Sequence, residues 1–136
     1  MSKPFIAKEL ERDDLRQMLS PVSPSTVSAF KENNKEPQAL KEAFNLKVKY
    51  TLLGNKEWGE YFKADVIRGW EEFYKKNPGA SGYIRLSRAG FNPEGDEALV
   101  YVEHGCGATC GTGRYVLLTK REKGWGVERV VELWIA

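Results

Sequence analysis

Residues 104–113 hold the chain's densest chemistry: His104-Gly105-Cys106-Gly107-Ala108-Thr109-Cys110-Gly111-Thr112-Gly113, with the only histidine and both cysteines. A thiolate is a nucleophile and a soft metal ligand, and an imidazole is a base or a ligand. Glycines at 105, 107, 111 and 113 let the backbone take positive φ or approach itself or a ligand closely. The segment is a candidate functional loop, and four readings are open. In the first it is a structured hairpin loop, with Cys106 and Cys110 as small apolar side chains beneath it. In the second the cysteines form a disulfide, which needs their Cα atoms within ~4.4–6.8 Å. In the third His104, Cys106 and Cys110 are metal ligands, although H-x-C-x3-C lacks a second ligand pair. In the fourth His104 activates Cys106 or Cys110, two apart from Cys106 and on its face if the strand persists. No third group orients such a pair, so we assign no catalytic residue, no metal and no cofactor. The segment lacks the Gly-Lys-Ser/Thr ending of a phosphate loop and lies between strands.

Other candidates are sparser. Arg88 follows Ile84 and Leu86 at strand spacing, so a half-buried guanidinium and an anion contact are expected there. Trp70, Phe73 and Tyr74 could line an aromatic pocket, but their helical spacing reads as core. Glu71-Glu72 and Asp13-Asp14 are adjacent on helices and diverge by about 100°, so they read as solvated.

These residues have to be positioned by the elements around them. Residues 8 to 19 read as a short helix, with Ser20-Pro21 as its stop. Ser23 is a suitable N-cap with Pro24 at the first helical position, and Val27 and Phe30 share a face of the next helix. A short turn carries Leu40, Ala43 and Phe44. Leu46 to Leu53 alternates like a strand with one wet face. Val66, Trp70, Phe73 and Tyr74 then mark the clearest amphipathic helix, with Asp65 as N-cap and Asn77-Pro78-Gly79 as its end. The remainder reads as an antiparallel meander. Its strands run from Tyr83 to Phe91, from Ala98 to His104, from Gly113 to Arg121 and from Trp125 to Ile135. Short connections force antiparallel pairing. In the second strand Leu99, Tyr101 and Glu103 face one way, and Ala98, Val100, Val102 and His104 the other. In the last strand Trp125, Val127, Val131, Leu133 and Ile135 share a face that Arg129 interrupts, which calls for an edge, a bulge or an ion pair. The expected fold is a single α+β domain over 1–136, with residues 1–22 as a loosely packed extension. Short helices precede a curled antiparallel sheet of four to five strands, of cone-like or cystatin-like form.

Composition agrees with a packed domain: 136 residues, 41% hydrophobic, 29% charged and 12% aromatic. Lys and Arg number 21 against 19 Asp and Glu, a net charge of +2 with the signs interspersed, which argues against a nucleic-acid partner. No apolar run reaches the ~18 residues of a membrane span. The first residues hold no apolar stretch of signal-peptide length, which reads as cytoplasmic, or as extracytoplasmic if an export signal has been removed.

The phrases GWEEFYKKNPGASGYIRLSRAGFN (69–92), ALVYVEHGCGATCGTGRY (98–115) and the ending VELWIA resemble a family of small bacterial proteins to which no activity is attached. The likeness covers roughly residues 22 to 136. It carries over no catalytic or binding residue. It implies relatives that are often exported or lipid-anchored, with more chain upstream.

The resulting reading is a non-catalytic binding or interaction module for a protein or small-molecule ligand, with its oligomeric state open. The alternative is a small enzyme, or a thiol- or metal-dependent protein, centred on His104, Cys106 and Cys110.

Overall fold

A computed structural model describes residues 12–36, 38 and 44–136. The chain divides into two compact units, residues 38–82 and the combination of 1–37 with 83–136. Among the described residues there are helices α1 (Asp13–Met18), α2 (Pro24–Asn33), α3 (Asn55–Tyr61) and α4 (Val66–Lys76), and strands β1 (Tyr83–Leu86), β2 (Gly90–Phe91), β3 (Glu97–Gly107), β4 (Cys110–Arg121) and β5 (Gly124–Ile135).

The strands form one antiparallel sheet in the order β1-β3-β4-β5, with β2 also paired to β3. The sheet is not closed. The expected α+β class and antiparallel meander are observed. The strand expected from Tyr83 to Phe91 is split into β1 and β2 around Ser87–Ala89, and both halves lie along β3. Bulges bend the sheet, because an extra residue on one strand raises the local twist. On β5 one falls where Arg129 interrupts the apolar pattern: Leu117 opposes Arg129 but Leu118 opposes Val127, so Glu128 is the extra residue. A second shift, between Gly113–Trp134 and Arg114–Glu132, makes Leu133 extra. Each bulge reverses the alternation. Val131 therefore lies opposite the buried Tyr115, whereas Trp125, Val127 and Ile135 lie on the other face, and the single five-residue face expected from the spacing does not form.

The core of the sheet unit joins Leu15 and Leu19 near α1, Val27 and Phe30 of α2, and Leu99, Tyr101, Tyr115 and Val131 of the sheet. Leu15 and Leu19 thus bind part of the first 22 residues into the core. α2 packs on β2 and β3. Ser23 and Pro24 stand at its N-cap and first position as expected, but the Ser23 side chain makes no cap bond. Glu97 of β3 replaces it: its Oε1 accepts from the Ser23 backbone N–H at 2.8 Å and from Thr26 Oγ1 at 2.6 Å. A carboxylate at a helix N-terminus also meets the positive end of the helix dipole, so this cap ties α2 to the sheet.

In the other unit, Asp65 caps α4 as expected, accepting from the Arg68 N–H at 2.9 Å. Phe73 is buried, and its ring contacts are Trp58, Tyr61, Trp70 and Tyr74. Trp70 contacts Trp58 and Phe62 as well, so the aromatic stripe finds its partners across α3 and α4. The strand expected over Leu46–Leu53 is absent. Residues 46–53 carry no strand, and Leu46 and Val48 are exposed. Alternation is only half of what a strand needs, since its backbone groups must also meet a neighbouring strand. Of the expected turn at Leu40, Ala43 and Phe44, the first two residues lie outside the described ones.

A Cβ on Gly90 would run into the backbone of Phe30. Gly90→Ala should therefore cost about 1–3 kcal/mol, as overpacking against backbone does. Gly59 has open space around it, and Gly59→Ala should leave stability unchanged or raise it. Thermal melts of both variants test the close approach of α2 to β2.

Candidate functional site

The glycine-rich segment is the end of a long hairpin. β3 and β4 stay paired from Glu97–Thr119 to Gly107–Cys110, with one register shift after Gly105–Gly111, so Ala108 and Thr109 alone turn the chain. The expected loop is corrected to a ladder, because residues on either side of the turn find cross-strand partners. None of glycines 105, 107, 111 and 113 has positive φ; that conformation belongs to Gly79, Gly82, Gly95 and Gly124. What Gly105, Gly111 and Gly113 require is the absence of a side chain. A Cβ on Gly105 would strike the Tyr83 ring, and one on Gly113 would strike the Trp134 indole and the Tyr101 hydroxyl. One on Gly111 would lie 3.2 Å from the Trp134 ring and 3.0 Å from the His104 carbonyl oxygen. The glycines are a floor on which aromatic rings lie.

Cys106 is the extra residue of a bulge, since Gly105 opposes Gly111 while Gly107 opposes Cys110. It is joined to Cys110 as a disulfide with a Cα–Cα separation of 5.1 Å. The disulfide reading therefore holds, on a hairpin, and the cysteines are not separate apolar side chains beneath a loop. The same bulge breaks the alternation that was to bring His104 and Cys106 onto one face. His104 stands in register with Ile84 and Thr112, one position before the glycine floor resumes. Among the described residues no group of three His, Cys, Asp or Glu side chains is placed to hold a metal ion.

The polar centre of the hairpin is Glu103, 3% exposed on the core face. Its Oε1 accepts from Tyr83 Oη at 2.6 Å and from Arg85 Nη1 at 3.2 Å, and its Oε2 accepts from Tyr101 Oη at 3.2 Å. Trp134 Nε1 donates to Tyr101 Oη at 2.8 Å. A buried carboxylate is tolerated only when donors replace its water. Here β1, β3 and β5 each send a donor into one network. The arginine that meets this buried carboxylate is thus Arg85. The network was missed in the sequence, where its one signal was Glu103 in the apolar parity of Leu99 and Tyr101.

Arg88 is exposed, not half-buried, because β1 ends at Leu86 and Arg88 falls in the break before β2. Its backbone is held by the buried Asn34: the Arg88 N–H donates to Asn34 Oδ1 at 2.9 Å, and Asn34 Nδ2 donates to the Arg88 carbonyl at 3.0 Å.

No family model, curated protein or solved structure matches this chain. Function has to be read from the geometry.

The face of the sheet opposite the core is also apolar. Cross-strand partners share a face, so the registers assign its rows. Phe91, Ala98, Leu118 and Val127 form one row; Val100, Val116 and Val130 the next; Leu86, Val102, Arg114 and Glu132 the third; Ile84, His104, Thr112 and Ile135 the fourth. Trp125, beside Lys120, meets the Phe91 ring at 5.8 Å between centroids. Ile84, Phe91, Trp125, Val127, Val130 and Ile135 are exposed, between 44% and 68%. The charged pair on this face, Arg114 and Glu132, is 3.5 Å apart and self-neutralising.

Burial, reinforced by the carboxylate of Glu103, raises the Tyr83 hydroxyl pKa well above the usual tyrosine value. Burial also pushes Tyr101 up to about 12, and Glu103 adds to this while the Trp134 N–H opposes it. A raised folded-state pKa contributes stability that is complete below the unfolded value of 10.0 and is lost as pH rises through the folded value. Melting temperature should therefore fall as pH is raised from about 10 to 12, and less steeply in Tyr101→Phe. An equal slope in both proteins would contradict the burial of this hydroxyl.

Proposed function

We propose that the chain is a non-catalytic binding or interaction module. One observation carries the reading: both cysteines and the buried carboxylate are already engaged. Cys106 and Cys110 are joined, and both oxygens of Glu103 accept from neighbouring side chains. A general base needs an oxygen or nitrogen within reach of substrate, and a nucleophilic cysteine needs a free thiolate. The same bonds stiffen the hairpin, and a stiff scaffold suits recognition, because little ordering is left to occur on binding. The open apolar face supplies a surface for contact.

The paired cysteines fit an oxidising compartment, and so favour an extracytoplasmic setting. No helix among the described residues is long and apolar enough to cross a membrane. The near-neutral charge keeps nucleic acid out of the reading.

Alkylation with intact-mass detection tests the module against the thiol-enzyme alternative. The native protein should take up no iodoacetamide before reduction and two equivalents after it. Reduction should lower stability by about 2 kcal/mol, since a ring closed by a sequence separation of 4 removes little chain entropy. Rapid labelling of one cysteine without reductant, lost on His104→Ala, would replace the module with an activated thiol.

A further inference from the structure

We infer that a second copy of this chain covers the open sheet face, through a two-fold sheet-on-sheet interface. The inference rests on the module reading and names its partner. The first argument is charge. The centre of the face carries Arg114 and Glu132, already paired with each other, among Val100, Val102, Val116 and Val130. An acidic or basic partner gains nothing there. A surface that is itself apolar and neutral matches it, and an identical face is such a surface.

The second argument is size. With strands about 4.8 Å apart and a rise of about 3.4 Å per residue, the rows span on the order of 500 Å² in plan, before side-chain relief is counted. That is the order of the ~600–1,000 Å² per partner that a specific interface buries. Shape agrees with this, since two sheets stack face to face at about 10 Å with their side chains interdigitated. Symmetry supplies the arrangement. In an isologous pair each residue meets its counterpart's patch, so a two-fold axis at the central row lays Val100, Val116 and Val130 on their own copies. Trp125, Phe91 and Ile135 then lie toward the ends of the contact, with Lys120 at its polar rim.

Sedimentation equilibrium from about 1 to 200 µM, a range set by the affinity scale of such contacts, tests this on the whole chain. The weight-average mass should rise toward twice the 15.4 kDa chain mass. Val130→Glu, on the face, should remain a folded monomer by circular dichroism and shift the dissociation constant at least tenfold. Ile67→Glu, exposed on α4, should dimerise as the wild type does. If Val130→Glu fails to fold, Trp125→Ser and Ile135→Thr replace it. A wild-type chain that stays monomeric throughout overturns the inference and indicates a different occupant, while leaving the alkylation result untouched. A dimer that survives both face substitutions, or that Ile67→Glu dissolves, also overturns it.

Discussion

A carboxylate in a sheet interior has to exchange its water for donors from the strands around it. Glu103 does so with Tyr83 and Arg85 of β1 and Tyr101 of β3, and Trp134 of β5 extends the chain of bonds. Three strands thereby become one polar unit. The glycines follow from this. Rings that reach Glu103 and Tyr101 have to cross the strands at close range, and only residues without a Cβ allow it: Gly105 under Tyr83, Gly113 under Trp134 and Tyr101, Gly111 beside Trp134. Removal of the carboxylate would leave buried hydroxyls without an acceptor, and a buried group so orphaned costs about 1–3 kcal/mol.

The disulfide acts just beyond this network. It closes the end of the hairpin across the Cys106 bulge, where the ladder is locally irregular. The network holds the hairpin just below its tip, and the disulfide holds the tip itself. At the other end of the sheet Glu97 holds α2 through Ser23 and Thr26, and Asn34 holds the break between β1 and β2. Polar side chains thus fix the attachments, and the apolar cluster of Phe30, Leu99, Tyr101 and Tyr115 fills the space between them.

The bulges of β5 bear on function as much as on shape. Without them Val131 would share a face with Trp125 and Val127. With them Val131 enters the core, while Trp125, Val127, Val130 and Ile135 stand on the exposed side. The sheet is therefore apolar on both sides, one closed by helices of its own unit and the other accessible.

The sequence by itself determined the class of fold, because periodicity and turn residues are local. The alternation of Ala98–His104, the Lys123-Gly124 turn and the Asp65 cap are each legible within a few residues. Proline at 24 likewise marked the start of α2. Tertiary structure decided what depends on partners distant in sequence. Leu46–Leu53 alternates but has no strand beside it. Ser23 sits at a cap that Glu97 fills from 74 residues away. Glycines 105, 111 and 113, read as freedom for the backbone, are room for rings supplied by Tyr83 and Trp134. Glu103 could be placed on the inward face from its parity, but its donors could not, since a hydrogen bond between strands depends on register, and register is set by the whole sheet.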